Sequence, residues 1–294
     1  MNQILHAGFD RADVASDVTA RRELKEKARR FAAHCAAYKG ASTRRAAIQL
    51  ATTLVPLALA VASMFWSLDV SYLLTLLLAV PTGGLLVRVF IIQHDCGHGS
   101  FLPSRQSNDA LGRVLSVLTF TPYGLWRREH AQHHATSGNL QKRGVGDIET
   151  WTVEEYRAAT PWRRFRYRMI RNPFVLFLVG VPFYFVVLHR LPWGHSLPVR
   201  DTWRSAVGLD LALLVVYGLL GWWLGYAAMA MVALPILLVA SAIGGWLFFI
   251  QHQFEDTHWE DTKDWDFQVA AIHGSSYYAL PRALQWLTGN IGLP

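Results

Sequence analysis

The sequence predicts an all-α integral membrane protein: two transmembrane helical hairpins, re-entrant or interfacial helices, and a cytoplasmic histidine-rich cap. Three observations lead there. Of the 294 residues, 52% are hydrophobic and only 17% charged, whereas a soluble domain carries about a quarter charged residues. Apolar runs of membrane-spanning character occupy about 46–66, 72–93, 207–224 and 226–250. Histidines gather at the ends of these runs instead of inside them.

Residues 1–45 read as a cytoplasmic N-terminal segment and 46–294 as the membrane domain. From His6 to Arg45 the chain is polar and rich in Arg and Lys, with no apolar core of a secretory signal near its start. Ala46 to Trp66 is apolar for 21 residues. That is about 31 Å of helix, enough to cross a hydrocarbon core. It follows Arg44-Arg45, an inside anchor. After the link Ser67-Leu-Asp-Val70 comes a second run, Tyr72 to Gln93, with Pro81 and Gly83-Gly84 inside it. The two make a hairpin with a minimal outer turn. Arg88, near its inner end, is expected to snorkel to the interface or to pair with an acidic side chain.

Leu111 to Trp126 is broken by Thr119, Thr121 and Pro122 and is too short to span, so it reads as re-entrant or interfacial. Between Gln141 and Arg171 the chain is polar, with Asp147, Glu149, Glu154 and Glu155. It closes on Trp162-Arg-Arg-Phe-Arg-Tyr-Arg-Met-Ile-Arg171, whose aromatic and basic residues suit a helix in the headgroup region. Phe174 to Leu188 is apolar but short, holds Pro182, and lies between Arg171 and His189-Arg190. Positive charge at both ends argues against a crossing, because Lys and Arg concentrate on one side. Val207 to Leu224 and Tyr226 to Ile250, joined at Gly225, form the second hairpin. Two crossings followed by two more return every histidine cluster to the cytoplasmic side. A crossing by the Phe174 segment would send His252 to the other side.

The 28 Lys+Arg against 21 Asp+Glu give a formal charge of +7, which fits cytoplasmic loops beside anionic lipid. No nucleic-acid motif is present, and no nucleic-acid partner is expected. Cys35 and Cys96 cannot build a disulfide framework, and neither lies in a CxxC motif. Cys96 reads as a small buried residue.

The chemistry is concentrated in His94-Asp-Cys-Gly-His98 and His130-Ala-Gln-His133-His134. On a helix, positions i, i+3 and i+4 share a face, so each cluster points its imidazoles one way. Imidazole binds Zn, Cu, Fe or Ni. Crowding of this kind is costly unless a metal neutralises the repulsion and fixes the tautomers.

These two motifs resemble the HxxxH and HxxHH boxes of the membrane fatty acid desaturases, and the HDCGH form is most similar to the acyl Δ12/ω-3 branch. The resemblance runs over nearly the whole chain from Ala46. It implies two non-haem irons at the cytoplasmic face, with His94, His98, His130, His133 and His134 as ligands and His252, at the inner end of the last membrane helix, as a further one. No catalytic residue is expected beyond the metal ligands. His258 and His273 are expected to be interfacial or supporting, and Trp126, Trp246, Trp259 and Trp265 to belong to an interfacial belt.

The implied reaction is O2-dependent desaturation of a lipid acyl chain. The electrons must come from outside, from ferredoxin or a b-type cytochrome, since no haem-attachment motif, cysteine cluster or GxGxxG is present. The family's third box, HxxHH after the last membrane helix, is missing before the chain ends at Thr288-Gly-Asn-Ile-Gly-Leu-Pro294. The expectation is a C-terminally truncated chain that holds one or both irons weakly and is inactive as given. The rivals are a related di-iron hydroxylase or ketolase and a non-enzymatic metal-binding membrane protein. Transport is disfavoured by spans with almost no ionisable residues, and a zinc hydrolase by the absence of HExxH.

Overall fold

The computed structural model describes residues 18–144, 146, 148–191, 193 and 198–291. The start of the N-terminal segment, Asp147 and the last three residues lie outside it. The described residues are helical, with one isolated bridge between Asn139 and Glu260 and no strand.

After α1 (Val18–Ala36), the helix α2 (Thr43–Ser67) starts at Ser42, whose side chain accepts the Arg45 N–H. It satisfies one of the donors that a helix start leaves open. α2 and α3 (Tyr72–His98) form the first hairpin, closed by a buried 2.7 Å hydrogen bond between the Ser67 and Thr75 hydroxyls. α3 is the centre of the molecule: 67% of its apolar stretch is buried, against 11–17% for the other long helices. Those others leave most of their apolar surface facing outward, as lipid-facing helices do. Gly83 lets α11 (Tyr226–His252) approach α3 closely. A Cβ at position 83 would lie 2.5 Å from Val239 Cγ1 and 3.2 Å from the Ala240 backbone nitrogen. Small residues serve this purpose where helices pack within lipid.

α3 stops at His98. Gly99 takes the left-handed conformation, φ +73°, and its N–H closes on the Cys96 carbonyl at 2.9 Å. α4 (Arg105–Thr119) and α5 (Tyr123–Thr136) follow. The expected Leu111–Trp126 segment is thus the junction of two half-length helices, turned at Phe120 (φ 57°) and Pro122. Arg105 at the start of α4 donates to the Gly97 carbonyl, and α5 brings the chain back to His98. Both arms of the pair thus meet the end of α3.

α6 (Val153–Ala158) and α7 (Pro161–Ile170) carry the polar stretch. Next come α8 (Pro173–Val175), a π turn over Leu176–Gly180, α9 (Val181–Val186) and a 3-10 turn over Leu188–Arg190. The wide turn includes Leu178, four residues before Pro182, where a proline ring crowds the carbonyl and supplies no N–H. By length and composition, Pro173–Arg190 is the fifth helix able to cross a membrane, beside α2, α3, α10 (Val199–Leu224) and α11. Both of its ends bond beside the histidines. Arg171, just before it, donates to Gln253 at 2.7 Å, one residue past His252. His189, at its far end, bonds Glu129 at 3.0 Å, one residue before His130. The segment thus begins and finishes beside residues next to His252 and His130.

Arg88 neither reaches the interface nor meets an acid. It is buried, donates to Thr53 Oγ1 at 3.0 Å and to the Trp286 carbonyl, and lies 4.1 Å over the Trp286 ring. Trp286 belongs to α13 (Arg282–Leu287), which follows α12 (Phe267–His273). The charge is thus met by a hydroxyl, a carbonyl and an aromatic face.

Gly83→Leu should destabilise the protein by about 1–3 kcal/mol through overpacking of α3 on α11. Gly84→Ala should be tolerated, because a Cβ there has only an ordinary 3.5 Å contact with Leu287. Thermal unfolding in detergent checks both, and equal midpoints for the two variants would contradict this packing.

Candidate metal centre

Three helices supply the site. His98 lies in the last turn of α3 with His94 one turn before it, His130, His133 and His134 lie on α5, and His252 ends α11. His98 Nε2 lies 3.2 Å from His94 Nε2 and 3.2 Å from His130 Nε2. His130 Nε2 lies 2.9 Å from His134 Nε2. Donor atoms of these four all fall within 4.8 Å of one another. The other two form a pair beside them, His133 Nε2 being 3.3 Å from His252 Nε2, with the His133 ring 5.7 Å from that of His134. All six expected residues come together, divided as four and two.

The four suit a metal ion. An imidazole Nε2 carries one hydrogen or one lone pair. His98 Nε2 faces two neighbouring Nε2 atoms, and so does His130 Nε2, so one proton or lone pair cannot serve both contacts well. A cation at the point of convergence accepts several lone pairs at once. The Asp95 carboxylate, 3.2 Å from His94 Nδ1, holds the proton on that nitrogen and leaves Nε2 as the donor. Carboxylates commonly orient a ligating histidine in this way.

Trp126 is not a belt residue. It is buried, stacks on His130 at 4.6 Å and 17°, and stands 5.8 Å from His94. Phe90 meets it edge-on at 5.3 Å. Together these rings form an apolar wall against the imidazoles. Trp265 donates to the Ser137 carbonyl and ties α5 to the chain before α12. A cavity of about 40 Å3 lies between His133, His134 and His252 on one side and Phe267, Ala270 and Gly274 on the other. His258 and His273 are not among the converging donors; their rings stand 6.4 Å apart.

Two residues at the site escape a reading of spacing alone. Glu129 and His189 are buried and 3.0 Å apart, but 60 positions separate them. In the sequence His189 serves only as a positive flank. The one available signal is that Glu129 precedes His133 by four residues and so shares its side of a helix.

Burial, then the neighbouring His94 and His134, hold the His130 imidazole far below its ordinary range. Burial, then His98 and His133, push His134 down to about 3. Both are neutral donors at physiological pH, the form that a metal requires. The cost appears on acidification without metal: unfolded histidines gain protons near pH ~6.5, while these two cannot in the folded chain. Stability is therefore full above that pH and falls as pH drops towards the folded values. The thermal midpoint of the chelator-treated protein should decline steadily from about pH 7.5 to 5, and a flat profile would count against these burials.

The fatty acid desaturase family model matches residues 70–293. A fatty acid desaturase of Bacillus subtilis (strain 168) is 41% identical over 270 residues, covering 92% of this chain and 76% of that protein. The sn-1 oleoyl-lipid 12-desaturase of Synechocystis sp. is 26% identical over 72% of this chain and 60% of its own length. The sn-1 acyl-lipid omega-3 desaturase (ferredoxin) of the same organism is 27% identical over 65% and 53%. The chain thus spans about half to three quarters of the length of these relatives. The matched residues contain both histidine motifs and the three helices that bring them together, and by this likeness and this site the chain belongs to the fatty acid desaturase family.

Proposed function

We propose that the chain acts as an O2-dependent acyl-lipid desaturase with a non-haem di-iron centre on the cytoplasmic face of a membrane. The observation that carries this reading is the convergence of four imidazoles from α3 and α5, with a second pair alongside. His94, His98, His130 and His134 would hold one iron, and His133 and His252 would belong to the other. When bound, the irons supply what no acid or base side chain can, the removal of hydrogen from neighbouring unactivated methylenes by O2 and two external electrons.

The residues of the chain do the rest. Asp95 fixes the His94 tautomer, and Trp126 and Phe90 exclude water from one side of the cluster. The outward apolar faces of α10 and α11 leave the acyl chain in hydrocarbon while its headgroup stays at the interface. The polar stretch with α7 would meet that headgroup, its arginines suited to anionic lipid. The donor is an external carrier, ferredoxin or a b-type cytochrome. The Synechocystis relative whose name includes ferredoxin supports the former. The family likeness and the HDCGH motif support an acyl-lipid substrate of the Δ12/ω-3 kind.

Two outcomes follow. A host expressing the protein should accumulate new double bonds in its membrane acyl chains, and His98→Ala should eliminate them. Gas chromatography with mass spectrometry reads this directly, and hydroxylated or keto lipids alone would overturn desaturation. The purified protein should contain iron, and a chelator should remove it in two phases, the ion of the two-imidazole set leaving first. Stoichiometric zinc without iron would exclude the di-iron reading.

A further inference from the structure

The apolar segment 173–190 is tied at both ends to a residue adjacent in sequence to a cluster histidine. At its start Arg171 donates Nη2 to Gln253 Oε1 at 2.7 Å and Nη1 to the Glu149 carbonyl at 2.8 Å; Gln253 follows His252 at the end of α11. At its finish His189 Nε2 bonds Glu129 Oε2 at 3.0 Å, both groups buried, and Glu129 lies one helical turn before His133 on α5. The next residue, Arg190, pairs with Asp210 of α10 at 3.0 Å.

Between its ends the segment lies against α11 and α3. Phe177 packs on Phe249 at 5.7 Å. Gly245 leaves room for Val181, which a Cβ there would meet at 2.7 Å. Phe185 faces Phe90 at 6.2 Å, and Tyr184 stacks on His189 at 5.2 Å and 15°. The segment is a strap from the end of α11 to the middle of α5.

The four-imidazole set needs only α3 and α5, which pack against each other directly. The His133–His252 pair instead bridges α5 and α11, and its separation depends on the register between those helices. We infer that the strap sets that register: Glu129, His189, Arg171 and Gln253 are positioning residues for the two-imidazole half of the site. This rests on the reading of the histidines as a metal centre and adds to it a division of labour. Outer partners that orient metal ligands are worth about 10–100-fold in metal affinity when removed. The loss should fall on one ion only.

The test is a Co2+ titration of the metal-free protein in detergent, followed by visible absorbance. The wild type should bind in two steps. Glu129→Ala and Arg171→Ala should each weaken the second step about 10–100-fold and leave the first unchanged. Glu129→Gln retains an oxygen acceptor for the His189 N–H and should restore the second step. His98→Ala is the control for the underlying reading: it should abolish the first step, and both steps surviving it would refute the metal centre itself. If His98→Ala behaves as expected while Glu129→Ala and Arg171→Ala leave the second step intact, the strap proposal alone is overturned. It is equally overturned if both variants weaken the two steps alike and lower the thermal midpoint, since the strap would then support the fold and not the pair.

Discussion

Imidazoles in contact with one another tolerate the arrangement only while uncharged, and in this protein the end of every long central helix is shaped by that requirement. His130 and His134 are kept neutral chiefly by burial, so the cluster has to be covered as well as assembled. Trp126 and Phe90 cover it from one side, and α12 approaches from another. Assembly in turn needs α3, α5 and α11 to end at one level. Gly99 stops α3 directly after His98, and α11 runs to His252 before it ends.

The membrane makes this harder. Helices there gain little from hydrophobic contact with each other, so close packing and hydrogen bonds must hold them. α3 is surrounded by protein while its neighbours face outward, and Gly83 brings the α11 backbone into contact with it. The buried Arg88 has a similar holding role: its guanidinium joins α2 at Thr53 and α13 at Trp286 to the centre of the bundle. Its partners are a hydroxyl, a carbonyl and a ring, so no second charge has to be desolvated.

Hydropathy cannot distinguish an apolar helix that crosses from one that returns. Residues 173–190 satisfy the length and composition of a span, yet their two ends bond beside His252 and His130. A crossing at this point would separate His252 from His133, which are 3.3 Å apart between Nε2 atoms. The contact between imidazoles from distant parts of the chain requires that the helices between them bring His133 and His252 to one place. It also gives the returning segment a task, that of joining the helices on which the second pair of imidazoles depends.

Much of this was legible in the residues themselves. Spacings of i+3 and i+4 mark the faces of His94/His98 and His130/His133/His134, because helical periodicity is local and does not depend on what surrounds it. Length and composition mark the long apolar helices for the same reason. The partition of six histidines into four and two, the covering of His130 by Trp126, the Glu129–His189 bond and the partners of Arg88 were not legible. Each joins groups from different elements, and their separation is set by how helices cross, which no periodicity along one helix contains. The sequence by itself determined which side chains can bind metal and which helices carry them; only the tertiary structure decided which imidazoles meet, because that depends on the depth and register at which three helices end against one another.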